Sequence, residues 1–263
     1  MHQDHDKAPA ADYDEFVNWT ARLEREAPLF RRVFDDVGAQ SVIDVGAGSA
    51  RHAIMFATWG LDVWAVDPDE SMLAQARANV ERAAEQIDRA RGSVHLVEGG
   101  FGELSALGLG PADVLTCTGN ALPHVSGHAG LREAFADFAR VVRPGGAVVL
   151  HLLNHARLLR SAPRAIPPVV RDTAEGTKVF LRVIDYPAGG ETLDFDFVTL
   201  VRDNDGIWTL SDRRSPHTAL PVDLLASELL SAGFDYVDFL GDHSGRLLDV
   251  DTDESVIVLA RRR

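Results

Sequence analysis

The sequence predicts an α/β fold, a doubly wound parallel sheet with helices on both faces. Three observations predict it. Short apolar runs alternate with amphipathic helical stretches from Ser41 to Leu152. Val42 to Val45 runs into Gly46-Ala47-Gly48 and then into a helix-like stretch from Arg51, a strand–turn–helix unit in which a ligand can sit against the backbone. Asp67 closes the next apolar run, Leu61 to Val66, at the distance where a ribose would lie. The turn and the acid together imply a nucleoside cofactor and leave its identity open.

The elements follow in order. Apolar residues recur at helical spacing from Asp14 to Val37, and Pro28 is expected to divide that stretch into two helices. Ser41–Val45 reads as a strand, Arg51–Trp59 as a helix ended by Gly60, and Asp62–Val66 as a second strand. Glu70 to about Ala90 is a long helix capped by Asp69 or Ser71. Ser93–Val97 and Asp113–Cys117 are further strands. Leu131–Val142 is a helix stopped by Arg143-Pro144-Gly145-Gly146, before strand Ala147–Leu152. The alternation then breaks. Lys178–Tyr186, Thr192–Val201 and Gly206–Leu210 read as antiparallel strands, with a hairpin turn at Asp203-Asn204-Asp205-Gly206 and proline-rich Pro163–Pro168 leading in. A helix Val222–Ser231 and strands Tyr236–Leu240 and Ser255–Ala260 complete the chain.

Composition narrows the function classes. The 263 residues carry a net charge of −14 with a pI near 5.1, which argues against nucleic acid and anionic membranes as partners. No apolar run approaches the ~20 residues needed to span a bilayer. Met1 to Ala11 has no apolar core of a signal peptide, and the single Cys117 allows no disulfide framework. A cytoplasmic protein without a metal centre is expected, with His2, Asp4, His5 and Asp6 read as a polar tail.

The first turn lacks the third glycine of a dinucleotide reader, since Arg51 stands in its place. The closing strand pair suits an added antiparallel hairpin. Val66-Asp67-Pro68-Asp69-Glu70-Ser71-Met72-Leu73 and Val142-Arg143-Pro144-Gly145-Gly146 supply two more motifs in order. Together these resemble the class I S-adenosylmethionine (SAM) methyltransferases. Cys117-Thr118-Gly119-Asn120-Ala121-Leu122-Pro123-His124 further resembles the glycine and glycine/sarcosine N-methyltransferase group, which carries a G-N-S-x-x-H run there. The resemblance implies a Rossmann-like seven-stranded sheet with an antiparallel last strand and an antiparallel β lid inserted after the fifth strand. It divides the chain into an N-terminal tail and helices (1–40), a SAM-binding core (41–154), a lid or substrate insert (155–218) and completion of the core sheet (219–263).

The resemblance also assigns the site. Gly46, Ala47 and Gly48 would meet the amino-acid tail of SAM through the backbone, and Asp67, followed by Pro68, would accept both ribose hydroxyls. Arg22, 22 residues before Asp44, would pair the SAM carboxylate. Tyr13 and Trp19 would fold over the cofactor. Gly100 replaces the usual adenine-binding Asp or Asn, leaving Phe101 and Met72 to hold the adenine, with Thr118 and Gly119 lining the other side. Asn120 and His124 match positions near the substrate. His155 and His217 are candidate bases if the acceptor is an oxygen. His151, Arg182 and Arg214 lie near the strand-5 end or in the lid, and the resemblance places Asp242 at the border of the site.

Two departures bear on the acceptor. The glycine enzymes end strand 5 in Arg-Asn-Tyr-Asp, where the Arg grips the substrate carboxylate; here the run is Leu153-Asn154-His155-Ala156. Their lid strand reads T-L-D-Y, and here Phe195 replaces the tyrosine. An unpaired carboxylate in such a pocket costs several kcal/mol, so glycine is a poor acceptor. The expectation is methyl transfer to a nitrogen, or an oxygen, of a different small molecule, with S-adenosylhomocysteine (SAH) as product. A non-catalytic SAM-binding protein and a nicotinamide-dependent oxidoreductase are the rival classes. Whether the chain forms a homo-oligomer is left open.

Overall fold

The structure, a computed structural model, describes residues 14–173 and 176–263. Its frame is a seven-stranded sheet of β1 (Ser41–Val45), β2 (Asp62–Asp67), β3 (Ser93–Glu98), β4 (Ala112–Cys117), β5 (Val142–Leu153), β10 (Phe234–Leu240) and β11 (Ser255–Arg262). They lie in the order β10-β11-β5-β4-β1-β2-β3. The first five are parallel, and β11 runs antiparallel between β5 and β10. Helices α1 (Trp19–Val37), α2 (Arg51–Ala57) and α3 (Glu70–Ala90) accompany the first half. α4 (Gly127–Val141), α5 (His155–Ser161) and α6 (Val222–Ser231) accompany the second. Strand order reverses between β1 and β4, so their carboxyl ends open a crevice where doubly wound folds bind ligands.

Alternation along the buried strands feeds two cores. Leu150 and Leu152 pack with Phe135, Phe138, Leu225 and Leu229. Ala147 and Val149 pack on the opposite face with Leu29, Phe30, Phe34 and Phe56. Full burial of each such side chain contributes roughly 1.5–3 kcal/mol.

A second, four-stranded antiparallel sheet lies between α5 and α6. Its strands β6 (Ala165–Thr173), β7 (Gly176–Asp185), β8 (Thr192–Arg202) and β9 (Trp208–Thr218) pair in sequence order. Its inner face joins Ile184, Leu193 and Phe195 to Leu158 of α5.

Four local expectations need correction. Pro28 does not divide the first helix: α1 runs through it from an Asn18 cap that accepts the Ala21 N–H at 3.2 Å. Burial of Glu26, Leu29, Phe30, Val33 and Phe34 on one face outweighs the missing backbone donor. The proline-rich lead-in is itself a strand, β6, on the sheet edge. Pro167 and Pro168 sit in a register shift between Ile166 and Val169, where no ladder donor is needed. β9 begins later than Gly206 and extends to Thr218, and α4 begins at Gly127. Among the described residues, no helix is long and apolar enough to cross a membrane.

Candidate active site

The turn after β1 is built as its glycines suggest. Gly46 and Gly48 have φ of +69° and +54°, and a Cβ on Gly46 would lie 2.5 Å from the Ala121 Cβ. The turn is therefore bare backbone, walled by Ala121 and the Phe101 ring. Asp67, at the end of β2, accepts the Gly48 N–H at 2.7 Å and the Asp69 N–H at 2.9 Å. Those two bonds aim the carboxylate across the crevice. Beneath the turn, buried Asp44 accepts Thr116 Oγ1 at 2.6 Å, while its Oδ2 has no hydrogen-bond partner among the described residues. Burial raises the Asp44 carboxyl above its ordinary value.

An adjoining cavity of about 900 Å³ runs from Arg22, Met72 and Gly119 to the second sheet, where Phe180, Phe195 and Phe197 face it. The segment before α1 closes one side. Asp14 accepts Trp19 Nε1 at 3.0 Å and Arg51 Nη2 at 2.7 Å, binding it to the glycine turn. Glu15 pairs with Lys178 at 2.6 Å, and Phe16 meets Phe180 edge-on, binding it to the lid sheet.

Arg22 is set by a buried chain. Thr118 Oγ1 lies 3.2 Å from His52 Nδ1, His52 Nε2 lies 2.7 Å from Glu26 Oε2, and Arg22 Nε donates to Glu26 Oε1 at 2.9 Å. Burial alone would raise the Glu26 carboxyl, but its bond and charge interactions with His52 and the charge of Arg22 hold it far below its usual range. Glu26, His151 and His243 offer ligand atoms within 4.8 Å of one another. Both Glu26 oxygens already accept hydrogen bonds, and Arg25 stands 3.9 Å away beside Arg22. Two guanidiniums oppose a cation there and suit a carboxylate instead.

Asn120 has φ +67° and is held at both ends. Its N–H donates to the His151 carbonyl at 3.1 Å and its Oδ1 accepts the Leu153 N–H at 2.9 Å. Its Nδ2 therefore points to His217 Nδ1, 3.4 Å away. His217 is 2% exposed, and burial pushes its pKa down to about 3. His124 packs edge-on against it with ring centroids 4.6 Å apart.

Of the residues singled out from sequence, Arg22, Met72, Gly119, Asn120, His124, His151, Leu153, Arg182, Phe195, His217 and Asp242 line the cavity. Trp19, Gly46, Ala47, Gly48, Asp67, Pro68, Gly100, Phe101 and Thr118, expected to hold the cofactor, lie outside its lining. Three residues expected near the acceptor lie outside it too. His155 is buried and its Nδ1 accepts the Leu220 N–H at 2.8 Å, a brace between α5 and the end of the lid. Asn154 caps α5, and its amide donates to the carbonyls of Val250 and Asp253, leaving nothing for a substrate. Arg214 points to the opposite face of β9, where Asp185, Asp194 and Asp196 hold it. Its neighbour Arg213 faces the cavity instead. Tyr13 and the acids and histidines of the tail lie outside the described residues.

Glu26, His52, Phe16, Phe180 and Arg213 join the site without having been singled out. The four-residue spacing from Arg22 to Glu26 is the signal that would have found the first.

The residues present fit SAM: a bare glycine turn, an aimed carboxylate, an unpartnered buried acid for an ammonium group, and a preset guanidinium for a carboxylate. Residues 42–146 match the family model described as a methyltransferase domain. The glycine/sarcosine N-methyltransferase of Parasynechococcus marenigrum is 29% identical over 147 residues, 56% of this chain and 50% of that protein. The chain thus spans about half the length of the curated relatives it matches. A SAM-dependent methyltransferase from Clostridium acetobutylicum superposes with a TM-score of 0.78 at 13% identity, covering 96% of this chain and 97% of the other. The sugar N-methyltransferase KedS8 from Streptoalloteichus gives 0.75 at 18% identity, covering 100% and 97%. The sheet order, the glycine turn and these matches agree that the chain carries a methyltransferase domain and has the fold of the class I SAM-dependent methyltransferases.

Proposed function

We propose that the chain transfers a methyl group from SAM to a nitrogen of a small molecule other than glycine. The observation that carries this reading is the cavity, which joins Arg22, Met72 and Gly119 on the cofactor side to an aromatic wall on the lid side. SAM, when bound, supplies a methyl group made electrophilic by its sulfonium. This chain's residues hold and align the reactants. Asp67, aimed by the Gly48 and Asp69 N–H groups, presents its carboxylate to the two ribose hydroxyls. Gly46 and Ala47 offer bare backbone to the amino-acid tail, and Arg22, fixed by Glu26, takes its carboxylate as a fork. Asp44 faces the charge of its amino group. Phe101, Met72 and Gly100 border the adenine beside Pro68, while Trp19 and Thr118 stand at the Arg22 end, around His52.

In-line transfer demands proximity and alignment more than a strong acid or base. Asn120 ties the ends of β4 and β5 together, so Leu153 is held against the acceptor. Arg182 and Arg213 line the acceptor side, and their charge favours a neutral amine over an ammonium. Oxygen as acceptor would call for a base, and His217 is a poor one because Asn120 occupies its Nδ1. Relatives named for N-methylation support nitrogen. Leu153 and Phe195 leave no partner for a glycine carboxylate at that wall.

The test is turnover of methyl-labelled SAM across a panel of primary and secondary amines and phenols. Label in amines supports the reading. Label confined to phenols would move the acceptor atom to oxygen, and SAM binding without any transfer would favour a non-catalytic SAM-binding protein.

A further inference from the structure

We propose that Arg213 and His217 form a two-donor site for an anionic oxygen of the acceptor, so that the acceptor is an amine that also carries a carboxylate or a phosphate. This rests on the methyl-transfer reading of the same cavity. Both residues lie on β9, four positions apart and on the face that turns inward: Arg213, Ser215 and His217 are covered while Asp212, Arg214 and Pro216 are exposed.

Hydrogen-bond accounting fixes what His217 presents. The Leu153 N–H can only donate, so it holds the Asn120 oxygen and turns the Asn120 NH₂ toward His217. His217 Nδ1 must then accept. Burial keeps the ring neutral, so the proton sits on Nε2. Nε2 is buried and has no partner among the described residues. His217 therefore shows the cavity a donor.

Arg213 repeats the pattern. Its Nε is buried without a partner among the described residues, and its guanidinium lies 5.4 Å from the Phe197 ring centroid. Asp194 and Asp196 of β8 turn to the outer face and bind Arg214, so they do not neutralise it. The neighbours on the inner side are His124, His155 and Arg182, none of them an anion. Two buried donors and a fixed positive charge, left unmade by the protein, call for an oxygen anion. The grip absent at Leu153 is supplied from the facing sheet. Phe16, Phe180, Phe195 and Phe197 set it among rings, in a space far larger than glycine needs.

The experiment is calorimetry on the SAH-loaded protein with four probes of similar size: benzoate, phenyl phosphate, benzamide and benzylamine. At least one anion is expected to bind about tenfold or more tightly than benzamide, the scale of a charge-assisted pair of hydrogen bonds. Which anion binds best separates carboxylate from phosphate. Arg213→Gln and His217→Phe should each remove most of that preference while SAH affinity stays unchanged. Benzylamine binding as well as the anions, or a preference that survives Arg213→Gln, would overturn the proposal. Nitrogen-15 NMR of the wild-type His217 ring gives a readout independent of any variant: Nε2–H at neutral pH supports it, and Nδ1–H overturns it. Failure of SAH to bind the wild-type protein would instead defeat the methyltransferase reading itself.

Discussion

Substitution Glu26→Gln keeps the shape of the side chain and removes its charge. Glu26 is fully buried, accepts Arg22 Nε at 2.9 Å and His52 Nε2 at 2.7 Å, and has Arg25 at 3.9 Å. A glutamine oxygen can keep Arg22, and its NH₂ then faces His52 Nε2, which can accept only by moving its proton to Nδ1. Breaking a buried pair by removing one partner costs about 3–5 kcal/mol. Arg22 keeps 12% of its side-chain exposure and one hydrogen bond survives, so a loss of roughly 2–3 kcal/mol is expected. Urea unfolding at neutral pH measures it. SAH affinity should fall about tenfold in the same variant, because the guanidinium loses the anchor that aims it. A loss below about 0.5 kcal/mol with unchanged SAH affinity would refute the idea that Glu26 presets Arg22.

Asp67→Ala should weaken SAH binding by about 1–3 kcal/mol through lost charge-assisted hydrogen bonds, and unchanged affinity by calorimetry would rule out the ribose role. Glycine and sarcosine should take no label from methyl-labelled SAM; robust sarcosine formation from glycine would contradict the argument from Leu153 and Phe195. Stability should fall as pH drops from about 6.5 toward 4. Burial holds His151 and His217 at about 3 and His155 at about 4, so the unfolded chain binds more protons in that window. Each group contributes up to about 1.4 kcal/mol per pH unit there, and a flat urea midpoint between pH 6.5 and 4.5 would contradict their buried neutral state.

The core of the fold was legible because each element carries its own periodicity and punctuation. Gly46 and Gly48 mark a turn that needs left-handed backbone, and the Leu61–Val66 run ends on an acid. The edge strand β6 was hidden because Pro167 and Pro168 look like a breaker; a register shift at a sheet edge absorbs them. α1 hid its continuity behind Pro28 for a similar reason, since tertiary burial overrode a local penalty.

In the site, residues fixed by a motif were readable and residues fixed by pairing across the chain were not. Arg213 and Arg214 show the limit. Both are basic, adjacent and in the lid, and the face of β9 decides which one meets the acceptor; a register change of one residue would exchange them. His155 and Asn154 sit beside Leu153 in sequence, yet α5 starts there and turns them into a brace and a cap. The Thr118–His52–Glu26–Arg22 chain draws on two helices and a loop end, which no local pattern reveals.

The central claim is that this glycine turn, Asp67 and Arg22 together make a SAM site. Calorimetric titration of the purified chain with SAM, and separately with NAD, tests it most directly. Saturable SAM binding at one molecule per chain and no heat from NAD are expected. Tight NAD binding with no SAM signal would contradict it.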